Sequence, residues 1–228
     1  MKKRALLLFP LSAALLLTGC ADAGSAGAAA GQLDAQALSG IAHEVAGDND
    51  KAVIIDEESL KAQVPLAEKA RKAMKVTPES CTEFVAGDIA EELEKMNVVS
   101  VSLPGATPLQ GIQVGLASYA DPADAATNMA QAEEILKDCA NFSFSLQGQE
   151  TEMGVKPLAA KTAASKTSAI QTSTSSGDVS ISTVSVNALE GQHVITVAVM
   201  GGTDTHRDIA QAEELADTVL KLVEEKSS

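Results

Sequence analysis

The chain has no tryptophan, one tyrosine and four phenylalanines among 228 residues. Large rings usually dominate a core, so this one must be closed by Ala, Val, Leu and Ile. Basic residues are also scarce, 17 against 31 acidic, for a formal charge of −14. A nucleic-acid binder built on a basic face is thereby excluded, because affinity there comes from neutralised phosphates. At 45 % hydrophobic the chain is too apolar to be disordered throughout, and its length allows one ordinary domain or two small ones.

Catalytic and metal signatures are missing as well. The three histidines, His43, His193 and His206, share no i, i+4 spacing, and each reads as structural or solvated. No G-x-S-x-G elbow occurs, and Ser165-Lys166 lacks the spacing of an S-x-x-K motif. Asp48-Asn49-Asp50 opens like a calcium loop but lacks the later glycine and glutamate, and Gly201-Gly202 is followed by no Lys-Ser/Thr. The runs Glu91-Glu92, Glu133-Glu134, Glu213-Glu214 and Glu224-Glu225 diverge by about 100° per residue on a helix, which makes them solvated faces. The chain therefore reads as having no catalytic residue, no metal ligands and no cofactor.

What is present begins at the N-terminus. Lys2, Lys3 and Arg4 precede an apolar run over 5–17, too short for a stable membrane span of about 20 residues. The run ends in Leu17-Thr18-Gly19-Cys20, which looks like a bacterial lipobox, with cleavage between Gly19 and Cys20 and a diacylglycerol on the Cys20 sulfur; the plainer alternative is a secretory signal that happens to contain a cysteine. Removing 1–19 leaves 209 residues and takes three basic residues but no acidic one, so the mature charge is −17. Such a body is repelled by an anionic leaflet, and the acyl chains must do the anchoring. The expected location is the extracytoplasmic face of the cell membrane.

Residues 21–31 form a small-residue tract that reads as a flexible tether. Leu33, Leu38, Ile41 and Val45 outline a weak helix interrupted by Gly40 and Gly47. The division expected is a signal peptide at 1–19, a lipidated N-terminus and tether at 20–50, and one folded domain at 51–228. Val53, Ile54 and Ile55 make a short β-branched run, after which Asp56 caps a helix that pauses at Val64, before Pro65, and resumes to about Lys75. Thr77-Pro78 signals another helix start, with Cys81, Phe84 and Val85 on one face and a further helical turn over 88–96.

Strands are expected over 98–103 and 112–119, then a helix capped by Asp121 with Pro122 at its first position. Ala125, Met129, Ala132, Leu136 and Cys139 form its apolar stripe. Phe142, Phe144 and Leu146 alternate as a strand. Residues 147–176 are polar and Ser/Thr-rich, with parts such as 169–174 suited to an edge strand. The runs 179–186 and 194–199 flank Glu190-Gly191-Gln192 as a hairpin, and Ile209, Ala212, Ala216, Val219, Leu220 and Val223 stripe a final helix. The fold class is α+β, an antiparallel sheet covered by helices on one side.

Outside the membrane, Cys81 and Cys139 are expected to be bridged, across a separation of 58 residues; two inert buried thiols are the other reading.

Cys81 on a short helix, a strand ending in Tyr119-Ala120-Asp121-Pro122-Ala123-Asp124-Ala125-Ala126, a helix closing at Lys137-Asp138-Cys139, then a hairpin and an Ala-rich last helix together resemble the extracytoplasmic sensor domains of actinobacterial membrane Ser/Thr protein kinases of the PknH type. The resemblance covers roughly 53–223 and implies a sheet packed on helices with a groove for a ligand. The second disulfide and the tryptophans usual in those domains are absent. The function expected is a non-catalytic binding or sensor-like module for a small, lipid-like or envelope ligand. An acidic protein docking a basic envelope partner is the alternative, and an unrecognised hydrolase a second.

Overall fold

The computed structural model describes residues 31–87 and 89–227. The expected signal peptide, its Gly19–Cys20 cleavage point and most of the tether lie outside those residues. In chain order the elements are α1 (Ala35–Ala46), β1 (Val53–Ile55), α2 (Glu57–Ala73), β2 (Lys75–Thr77), a 3-10 turn (Glu79–Cys81), α3 (Thr82–Ala86), α4 (Ile89–Glu92), β3 (Met96–Pro104), β4 (Gly111–Tyr119), α5 (Pro122–Asp138), β5 (Asn141–Leu146), β6 (Gln149–Leu158), β7 (Lys166–Ser176), β8 (Val179–Glu190), β9 (His193–Met200) and α6 (Thr205–Lys226). All nine strands join one antiparallel sheet in the order β1-β3-β4-β9-β8-β7-β6-β5-β2. The fold is α+β.

Strand alternation divides the apolar side chains between the two faces. Val99 and Val101 on β3, Val114 and Leu116 on β4, Ile195, Val197 and Val199 on β9 and Val186 and Ala188 on β8 lie in register on one face. α1 and α6 cover it with Leu38, Ile41, Ala216, Val219, Leu220 and Val223. Each such buried Val or Leu contributes about 1.5–3 kcal/mol.

Helices also cover the other face, which departs from the one-sided arrangement expected. Ala117, Tyr119, Val194 and Leu189 meet Ala125 and Met129 of α5 there, and Val64 and Ile89 pack alongside. Further along the same face, Phe142 and Val155 pack with Phe84, Cys81 and Cys139. Both faces are apolar in the strands that carry helices, so both must be buried.

Four other expectations change. Residues 32–46 belong to the folded body rather than to the tether, because Leu33, Leu38, Ile41 and Ala42 are buried. The domain thus begins near residue 32, not 51. α2 runs unbroken through Pro65. Both Pro65 and Lys61, whose carbonyl the missing N–H would have met, are exposed, so water can take that bond. Thr77 ends β2 instead of capping a helix; the Thr77–Pro78 peptide is cis and the 3-10 turn follows. Residues 149–158 and 166–176 are long strands, and β7 lies inside the sheet between β6 and β8.

Asp34 caps α1 through Ala37 N, Asp121 caps α5 through Ala123 N, and Asp204 caps α6 through the amides of His206 and Arg207. At the β5–β6 turn, Gln147 and Gly148 both adopt positive φ, 53° and 81°, the twist that joins two strands by two residues.

Chain entry is held by three bonds at one end of the sheet. Gln32 Nε2 donates to the Ser118 carbonyl at 3.0 Å, Leu33 N to Ser118 Oγ at 2.8 Å, and Asn97 Nδ2 to the Leu33 carbonyl at 2.8 Å. Cys81 and Cys139 are bonded, with Cα atoms 5.6 Å apart, tying the 3-10 turn to the C-terminal end of α5.

Candidate functional site

The helix α6 starts too late to cover the whole of its face. Its first residue reaches Gln171, whose Nε2 donates to Thr205 Oγ1 at 3.2 Å and Ser182 Oγ at 2.9 Å. Beyond that point the same face of β5, β6, β7 and β8 is open, and the aliphatic side chains give way to small polar ones.

Two cross-strand rows form this floor. Asn141 stands opposite Gly154, and Gly154 opposite Ser173; one step on, Ser143 stands opposite Glu152, and Glu152 opposite Ser175. On β8 the rows continue as Ser182 and Ser180. A depression of about 440 Å³ lies over Asn141, Ser143, Glu152, Gly154, Ser173 and Ser175. Adjacent strands put these groups about 4.8 Å apart, within reach of neighbouring groups on one small molecule. Gly154 keeps the middle open: a Cβ there would meet Ser173 Oγ at 2.7 Å.

The chemistry of the floor is hydrogen bonding. Hydroxyls donate and accept, the Asn141 amide does both, and Glu152 accepts. No cation lines the depression, so an anionic ligand would meet Glu152 without compensation. Glu152 is the one carboxylate beside these serines, and no histidine or lysine lines the depression.

The residues singled out from sequence lie elsewhere. His43 and His206 are exposed. His193 is 2 % exposed, neither ring nitrogen has a hydrogen-bond partner, and burial pushes its pKa down against a smaller opposing effect of Glu190. The Tyr119 hydroxyl is buried without a partner, and burial, then Glu92 and Asp124, raise it well above the ordinary tyrosine range. Glu92, 2 % exposed, pairs with Lys95 at 3.2 Å. Lys95 is raised chiefly by its bond to Glu91.

The paired glutamates are tied to structure. Glu133 binds Lys166 at 3.1 Å and Glu134 binds Lys137. Glu213 accepts from Lys161 N at 2.6 Å, while Asp217 accepts from Ala163 N and Glu190 from Ser165 N, both at 2.7 Å; together they pin the β6–β7 connection. Among the described residues no group of three His, Cys, Asp or Glu could hold a metal, and no helix is long and apolar enough to cross a membrane.

No sequence motif marks Asn141, Ser143, Glu152, Gly154, Ser173 or Ser175. The one available signal was the polar stretch within 147–176, where serine and threonine stand at positions that strand alternation would otherwise fill with valine.

No protein-family model matches the chain, and no curated protein matches it in sequence. Solved structures do match. The crystal structure of the extracellular domain of PknH from Mycobacterium tuberculosis superposes with a TM-score of 0.56 at 12 % identity, over 86 % of this chain and 99 % of that one. An X-ray structure of an uncharacterised protein from Mycobacterium smegmatis, the Rv0999 ortholog, gives a TM-score of 0.47 at 13 % identity, over 83 % and 96 % of the two chains. The first of these superpositions shows that the domain is PknH-sensor-like in fold.

Proposed function

We propose that this chain is a lipid-anchored, extracytoplasmic, sensor-like binding module that holds a neutral hydrogen-bonding ligand, such as a saccharide of the cell envelope, on the floor formed by β5, β6 and β7. The observation that carries the reading is the uncovered double row Asn141–Gly154–Ser173 and Ser143–Glu152–Ser175, polar and free of cations, on the face that α1 and α6 close elsewhere. Small hydroxyls at strand spacing suit a polyhydroxylated molecule, with Glu152 placed to accept from two neighbouring hydroxyls. The lipobox at 17–20 supports attachment through Cys20, and the shared fold with an extracellular kinase domain supports a sensing rather than a catalytic role.

Amide chemical-shift mapping with a panel of neutral oligosaccharides tests the site. Shifts clustered on residues 141–143, 152–154 and 173–175, lost in Gly154→Val, support it. Shifts elsewhere, or stronger binding by anionic sugars than by neutral ones, would overturn it. Mass measurement of the mature N-terminus tests the anchor independently, and a Cys20 without acyl chains would refute attachment.

A further inference from the structure

His193 opens β9 on the face covered by α1 and α6. Ser118 of β4 stands opposite it on one side and Glu190 of β8 on the other. Ser118 is also the residue to which the entering chain is fastened, accepting from Leu33 N at its Oγ and from Gln32 Nε2 at its carbonyl. An imidazole that is 2 % exposed, with both nitrogens unpartnered, thus lies beside the clamp where residues 1–30 join the domain.

A buried polar group without a partner costs stability that an aliphatic side chain of similar size would not. Leu33, Leu38, Leu220 and Val223 belong to the buried apolar layer between this face of the sheet and the helices α1 and α6. Charged groups near this layer have other partners. Asp34 caps Ala37, Glu44 of α1 pairs with Lys226 of α6 at 3.1 Å, and Glu190 accepts from Ser165 N. Ser118 brings no charge from β4. A proton on the ring would face Glu190, whose carboxylate already accepts from Ser165 N, and would draw in that carboxylate or water.

We infer that His193 is an acid-operated release for the N-terminal segment: protonation of its imidazole lifts residues 32–33 off Ser118 and admits water beneath them. The rest of the sheet stays closed, because strands β3, β4, β8 and β9 are fixed by their own ladders. Acid would then lengthen the connection between the domain and whatever precedes it, with no change in the fold.

Hydrogen exchange on the full chain at pH 7.5 and pH 5.5, corrected for the intrinsic pH effect, tests this. Protection of the Leu33 and Leu38 amides should fall relative to Val197, by up to about tenfold per pH unit, the limit for one proton. His193→Phe should hold the ratio constant. Constant protection in the natural chain, an unchanged pH response in the variant, or equal loss at Val197 would each overturn the inference. Should His193→Phe fail to fold, titration of the natural chain decides: the Leu33 amide resonance must move with the midpoint of the His193 ring, and separate midpoints would refute the release.

Discussion

The Leu33 amide and Ser118 Oγ meet at 2.8 Å although 85 residues separate them in sequence. This bond, with the two beside it, joins the start of the domain to the open end of the β3–β4 hairpin. Ser118 is fully buried, so truncating it leaves an amide without an acceptor in an apolar place. Ser118→Ala should cost about 1–3 kcal/mol. At about 2–4 °C per kcal/mol for a domain of this size, calorimetry should show the loss directly. An unchanged melting temperature would mean that water substitutes for the hydroxyl.

The bridge between Cys81 and Cys139 closes a loop of 58 residues and is fully buried. Chain-entropy arithmetic gives it on the order of 4 kcal/mol, acting mainly on the unfolded state. The double replacement Cys81→Ala with Cys139→Ala should lower the melting temperature by about 10 °C on the same scale. Thiol labelling of the denatured, unreduced chain should find neither of these two cysteines reactive.

Asp208 is buried in the first turns of α6, and its carboxyl is held above the ordinary carboxylate value by burial, then by Asp204, against a smaller effect of Arg207. The folded chain therefore binds this proton more tightly than the unfolded one. Its contribution is present at low pH and is lost as pH rises from the ordinary value, about 3.9, through the raised one. Asp208→Asn should melt higher than the natural chain at pH 7, and the advantage should disappear toward pH 3.5. A variant less stable than the natural chain at pH 7 would refute the sign.

Gly201 follows β9 at a φ of 68°, and a Cβ there would come within 2.2 Å of the Leu109 carbonyl oxygen. Gly177 has a similar φ, 57°, but faces open space. Gly177→Ala should cost only the left-handed conformation, about 1–2 kcal/mol. Gly201→Ala must also push the 105–110 turn away, so its loss in urea denaturation should be clearly the larger; equal losses would show that the turn yields freely.

How much of this was legible in sequence follows the distribution of burial. The stripe of α6, the Asp121-Pro122 start of α5 and the β8–β9 hairpin were readable because one side of each is apolar at the right period. Bridging of Cys81 and Cys139 was readable from their number and the expected export signal. Strand β7 was not, since Ala169 is its one buried hydrophobic residue and neither of its faces is covered along its outer half. Its pairing with β6 and β8 rests on backbone bonds, which leave no mark on side-chain periodicity. α1 was obscured by Gly40 and Gly47, although burial of Leu38 and Ile41 outweighs the propensity cost. The floor over β5–β7 could not be found by motif, because its polar residues come from three strands and meet only through register.

The borders of the sheet carry a further consequence. Nine strands in one open array would ordinarily present two long rows of unsatisfied amides and carbonyls to any passing polypeptide. Here the outermost strands, β1 and β2, have three residues each, about 10 Å of template. So short a margin gives an intruding chain little to zip onto. Molecules of this kind can be crowded side by side in a single plane and still remain separate.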